Sequence, residues 1–182
     1  MSRIEPVGLD SAPALRVVTE RLAARGRLPS PLYGTLAHAP EVLQGWSQLA
    51  DALRFGSSAD AGLRELVILR LAQLGHAPYA WAYHRKAALA SGVSEDRVME
   101  LSRWRTSAAF DPATRAVLDY AESMARNEVT REEFEGLAAG RTEQEIVELT
   151  VLISFYCGVV RTLRALEIEL DADHGGELAG YS

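Results

Sequence analysis

The residues best suited to chemistry lie in Leu63-Arg-Glu-Leu-Val-Ile-Leu-Arg70 and Tyr79-Ala-Trp-Ala-Tyr-His84. Glu65 stands in a stretch that is otherwise nearly all apolar, and a carboxylate is rarely buried without a partner. Arg64, Arg70 and His84 are the candidate partners. A carboxylate on an imidazole orients the ring and raises its basicity, so a Glu65–His84 pair would suit proton transfer. Ala77, Ala80, Ala87 and Ala88 recur at helical spacing around His84. Small side chains there either leave space for a ligand or let two helices pack closely. Tyr79 is placed to reach the mouth of such a pocket, whereas Tyr83 is expected on a different side of its helix.

A second polar stripe, Thr150, Ser154, Cys157 and Arg161, runs along the last long helix. It reads either as a pocket wall, with Arg161 holding a substrate carboxylate, or as hydroxyls bonded back to carbonyls one turn earlier. Cys157 is the only cysteine. That excludes an internal disulfide, a CxxC pair and a cysteine-built zinc site. An apolar run raises a thiol's pKa, which argues against Cys157 as a nucleophile. His38 and His76 stand near breaks and share no metal-ligand spacing with His84, so no metal is expected. Trp46, Trp81 and Trp104 read as core or subunit-interface aromatics.

The elements that must position these residues are all helical. Helix punctuation recurs along the chain, and alternating β-branched runs are missing. The pattern predicts helices over 11–24, 31–39, 40–55, 59–74, 79–91, 94–103 and 112–127, another after Thr130, and a long apolar one from Thr142 through Leu170. Asp111-Pro112 pairs an N-cap with proline at the first helical position. Thr130-x-x-Glu133 and Thr142-x-x-Glu145 are capping boxes. The turn Gly75-His-Ala-Pro78 makes the Glu65 and His84 helices antiparallel. Helical rise leaves the two residues offset by roughly 6 Å, a separation that allows contact without requiring it. The expected organisation is an N-terminal helix and linker over 1–29, a helical domain over 30–172 and a flexible tail over 173–182.

Composition bounds the function classes. The 182 residues are 48% hydrophobic and 24% charged, with net charge -6. A pI near 5.3 argues against a nucleic-acid binder and against attachment to anionic membranes. No apolar leader opens the sequence, and the uncharged run from Leu149 to Val160 falls short of the ~20 residues a span needs. A cytoplasmic location is expected.

On the run Arg64-Glu-Leu-Val-Ile-Leu-Arg-Leu-Ala72, the Tyr79-x-Trp-x-x-His84 motif and the following Ala-x-x-x-Gly-Val-Ser, the chain resembles the carboxymuconolactone decarboxylase family, in the superfamily of AhpD-like proteins. Leu36-Ala-His-Ala-Pro40 fits its longer members, and the resemblance covers roughly residues 30 to 172. It implies an AhpD-like helical bundle of about eight or nine helices that assembles as trimers or hexamers. In the peroxidase branch a Glu precedes Cys-x-x-Cys-x-x-x-His. Aligned on His84, the Glu falls on Glu65 and the cysteines on Ala77 and Ala80. A dithiol peroxidase cannot run without those sulfurs. Many thiol-free relatives carry Glu just before the Trp, where this chain has Ala80. The decarboxylase branch uses no cofactor. The resemblance therefore implies a cofactor-free lyase on a small carboxylated lactone or related acid. His84 would move the proton, Glu65 would orient it, and Arg161, Arg64 and Tyr79 would contact substrate. The alternatives are a peroxide-handling oxidoreductase using Cys157 with a partner's thiol, and a non-catalytic ligand-binding oligomer.

Overall fold

Helix α4 (Ala61–Leu74) is the axis of the molecule. Asp60 caps it, its carboxylate accepting from the Leu63 backbone N–H at 2.7 Å. Leu66, Val67, Ile68, Leu69 and Leu71 are all essentially inaccessible, covering its whole circumference. A helix apolar all round must be enclosed by others. Here α5 (Pro78–Ala90), α7 (Pro112–Arg126) and α9 (Glu143–Ala165) enclose it.

The computed structural model describes residues 2–8, 13–24, 30–171, 174 and 176–181. Among these the architecture is all-α. The remaining helices are α1 (Pro13–Ala23), α2 (Pro31–Leu36), α3 (Pro40–Phe55), α6 (Glu95–Met99) and α8 (Arg131–Ala138), with a 3₁₀ turn at Leu101–Arg103. The expected start at Ser11 and the boundary between 29 and 30 involve residues outside the described ones.

Local chemistry sets the boundaries. Pro31, Pro40, Pro78 and Pro112 all open helices, where the missing N–H is no loss. Both capping boxes form, at Thr130/Glu133 and Thr142/Glu145. Asn127 closes α7 in the left-handed region at φ 62°. The helix expected over 94–103 is divided into α6 and the 3₁₀ turn, and α9 stops at Ala165 rather than Leu170.

Three further features define the packing. First, α9 is long and apolar enough to cross a membrane by length and composition. In this fold it is a core helix, with Leu149, Leu152, Ile153, Tyr156, Val159 and Leu163 buried against its neighbours. Second, α1 packs through Leu15, Val18 and Leu22 against Tyr33, Ala37 and Leu43. Third, the described tail residues contact the bundle. The Gln73 side-chain amide donates to the Gly180 carbonyl at 3.0 Å, Arg85 pairs with Glu177 at 2.6 Å, and Tyr181 packs edge-on to Trp81.

Candidate functional site

Antiparallel packing of α4 and α5 brings Glu65 and His84 together. The Glu65 Oε2 lies 2.7 Å from the His84 Nδ1. Both side chains are buried, with residue exposures of 7% and 8%. The other carboxylate oxygen, Oε1, lies 3.5 Å from Nη2 of Arg54, near the end of α3. One carboxylate thus bridges an imidazole and a guanidinium.

Burial alone would push the Glu65 carboxyl up. The charge and hydrogen bond of His84, joined by Arg54, outweigh burial and hold it below the usual carboxylate range. Burial likewise pulls on Arg54, but Tyr156, Glu65 and Tyr33 overcome it, and its pKa is raised. Glu65 is therefore ionised and can only accept, so Nδ1 of His84 carries the hydrogen between them. That fixes the imidazole's orientation, with Nε2 as its other ring nitrogen.

His84 and Arg54 line a cavity of about 60 Å³. Its walls include Tyr33, Trp46, Tyr79, Tyr83, Phe155 and Tyr156. Tyr156 stands edge-on to His84, ring centroids 5.0 Å apart at 88°. Ala80, one turn before His84, leaves the space in front of the ring. A water needs ~10–15 Å³ of such volume, so this cavity holds a few waters and no organic ring without a wall moving. Tyr79 is fixed at one side, its hydroxyl accepting from the Leu32 N–H at 3.1 Å. Burial pushes its phenol up to about 12. Tyr83 stacks on Tyr79 at 4.8 Å, donates to the Asp171 carboxylate and stacks on His174 at 4.0 Å. One wall of the cavity is therefore held by the C-terminal segment.

Of the residues singled out by sequence, Glu65, His84 and Tyr79 come together. Arg64 does not join them. Its guanidinium donates to the backbone carbonyls of Arg54 at 2.9 Å, Ser57 at 3.3 Å and Ala59, locking the α3–α4 connection. Arg70 is likewise not Glu65's partner, since it pairs with Glu122 at 2.7 Å. Arg161 lies on the opposite side of α9. Phe155, Tyr156, Val159 and Leu163 face His84's cavity, and Arg161 is two residues from Leu163, hence about 200° around the helix. The stripe also fails as a pocket wall at Thr150, whose hydroxyl bonds back to the Ile146 carbonyl at 2.7 Å.

Tyr83 lines the cavity despite the expectation that it points elsewhere. Arg54 went unread as well, although Trp46, Ala50 and Arg54 follow at four-residue steps along α3 and all three line the cavity. No group of three or more His, Cys, Asp and Glu among the described residues is arranged to hold a metal ion.

Residues 40–123, a little under half of the chain, match the model of the Carboxymuconolactone decarboxylase family. The matched stretch contains Arg54, Glu65 and His84 and stops short of α9. Solved structures share the whole fold. The debrominase Bmp8, solved alone and in complex with 2,3,4-tribromopyrrole, is similar with TM-score 0.85 at 19% identity, over 98% of this chain and 97% of that one. An AhpD-core, peroxidase-related protein from Ralstonia eutropha JMP134 gives TM-score 0.82 at 21% identity, over 100% and 97%. A peroxidase-related protein from Silicibacter sp. TM1040 gives 0.76 at 19%, over 96% and 92%. No curated protein matches. These likenesses show an AhpD-like all-helical fold, within which residues 40–123 resemble the carboxymuconolactone decarboxylase family.

Proposed function

We propose that this protein is a cofactor-free lyase that decarboxylates a small, flat, carboxylated lactone or a related conjugated acid, with His84 as the proton-transfer group. The observation that carries the reading is the buried Glu65–His84 hydrogen bond of 2.7 Å beside a cavity walled by aromatic rings. Aromatic faces suit a flat substrate. Arg54, charged and buried on the same cavity, suits its negative charge.

In the step proposed, the bond to the carboxylate carbon breaks and CO2 leaves. The electron pair passes into the conjugated carbonyl as an enolate, which Arg54 stabilises. The proton on His84 Nε2 moves to carbon, and solvent reprotonates the ring. Glu65 keeps the ring oriented and favours its charged form.

Dithiol peroxide chemistry has no support in these residues. Ala77 and Ala80 stand where that branch carries cysteines, and Cys157 lines a different cavity from His84. Binding of a flat heteroaromatic ring, as the Bmp8 complex does with its bromopyrrole, is a second reading favoured by the same aromatic walls.

The test is CO2 release from a panel of small carboxylated lactones and conjugated acids. Wild type should turn over at least one of them. His84→Ala should lose ~10²–10⁴-fold in kcat, the usual contribution of a positioned acid–base group. Full activity in His84→Ala would overturn the role.

A further inference from the structure

A second cavity, about 620 Å³, lies on the far side of α9 from His84. Its α9 wall is the stripe Cys157, Val160, Arg161, Arg164 and Ala165, and α4 contributes Leu71 and Leu74. Floor and rim differ in chemistry. Val160 and Leu71 are buried, whereas Arg161 and Arg164 stand exposed, one turn apart on the same face.

Neither arginine forms an ion pair among the described residues. Arg161 reaches only the Ala125 carbonyl and Arg164 only the His76 carbonyl, both at 3.4 Å. The acid on this cavity, Glu122, is already taken by Arg70 at 2.7 Å, the Trp104 indole at 2.8 Å and Arg105 at 2.9 Å. In a chain of net charge -6, these two guanidiniums stand above an apolar hollow with no carboxylate partner among the described residues.

We propose that this cavity is a second binding site, separate from the proton-transfer site, for an amphipathic carboxylate. The carboxylate would be held by Arg161 and Arg164, and the hydrocarbon part would lie on Leu71, Leu74 and Val160. A guanidinium pair matches an anionic oxygen head, and the apolar floor rewards removal of a chain from water.

Cys157 gives the site its own reporter, because it is the only thiol and lines the cavity. The experiment follows N-ethylmaleimide labelling of Cys157 by intact mass at mildly alkaline pH, with decanoate and with decanol, in wild type and Arg161→Gln/Arg164→Gln. Light scattering is recorded at each protein concentration. Decanoate should slow labelling of wild type in a saturable way and bind at least about tenfold more weakly to the double variant. Decanol should protect far less than decanoate.

Equal protection by decanoate and decanol, or equal protection in both proteins, would overturn the proposal. So would a thiol that never labels, since the cavity would then be closed to solvent. Protection that rises with protein concentration alone, in step with assembly, would assign the face to a second copy of the chain instead. The double variant lies outside the Glu65–His84 cavity, so its CO2-release rate should remain that of wild type.

Discussion

Replacing Glu65 with Gln removes the negative charge from a buried cluster of three side chains while nearly preserving shape. Oε2 faces the His84 imidazole at 2.7 Å and Oε1 faces the Arg54 guanidinium at 3.5 Å. The amide can still accept from Nδ1 of His84, but it leaves the buried Arg54 guanidinium without its counter-charge. Breaking a buried ion pair by removing one partner costs about 3–5 kcal/mol. Keeping one hydrogen bond places Glu65→Gln at the lower end, about 3 kcal/mol near pH 7.

The sign of the pH dependence follows from the lowered pKa of Glu65. A carboxyl held below its unfolded value of about 4.3 stabilises the fold above that pH. The contribution fades as pH falls through the folded-state value. The variant never has it, so the gap between the two proteins should be full near neutrality and shrink in acid. The assay is urea unfolding at several pH values and fixed protein concentration, read as a midpoint shift at constant slope. A gap below about 1 kcal/mol at neutral pH, the level of an exposed pair, would refute the reasoning. So would a gap that stays constant into acid.

Gly75 approaches α9 so closely that an added Cβ would lie 2.6 Å from Val160 Cγ2 and 2.8 Å from its Cβ. Gly75→Ala should therefore destabilise by about 1–3 kcal/mol in thermal or urea unfolding, and Val160→Ala in the same chain should recover part of that loss. Burial would push the Glu148 carboxyl up, but hydrogen bonds from Gln144, Ser57 and Ser58 draw it to about 2. Its carbon-13 titration should show that low midpoint, and Ser57→Ala/Ser58→Ala should move it back toward the usual carboxylate value. Tyr83→Phe removes the hydroxyl that holds a cavity wall to Asp171. It should increase the association rate of a substrate for the His84 site in stopped-flow fluorescence, and an unchanged rate would mean that this wall does not move on entry.

Helix boundaries were legible because their signals are local. Proline at the first helical position, capping boxes and the Asp111 cap each act within one turn. The Glu65–His84 contact was legible as a possibility, since a short turn fixes antiparallel packing. Its register depends on how α4 and α5 slide and rotate against each other, which is decided by the packed core. Arg54 and Arg64 show where sequence reading stops. Arg64 adjoins Glu65 in the chain, yet its side chain turns to carbonyls in the α3–α4 connection. Arg54 is eleven positions away and supplies the ion pair, because α3 ends beside α4. Arg161 was misplaced for an angular reason: α9 serves two cavities, and adjacent residues on it face different ones. The tail contacts rest on long-range pairs such as Arg85–Glu177, which carry no local signal.

The most direct measurement of the central claim is decarboxylation in D2O with a substrate from the carboxylated-lactone panel, following the product by NMR and mass spectrometry. Wild type should place a single deuteron on the carbon that lost CO2, on one face only, and His84→Ala should lose both rate and facial selectivity. A product carrying deuterium on both faces, or wild-type rate and selectivity in His84→Ala, would contradict the assignment of His84 as the proton donor.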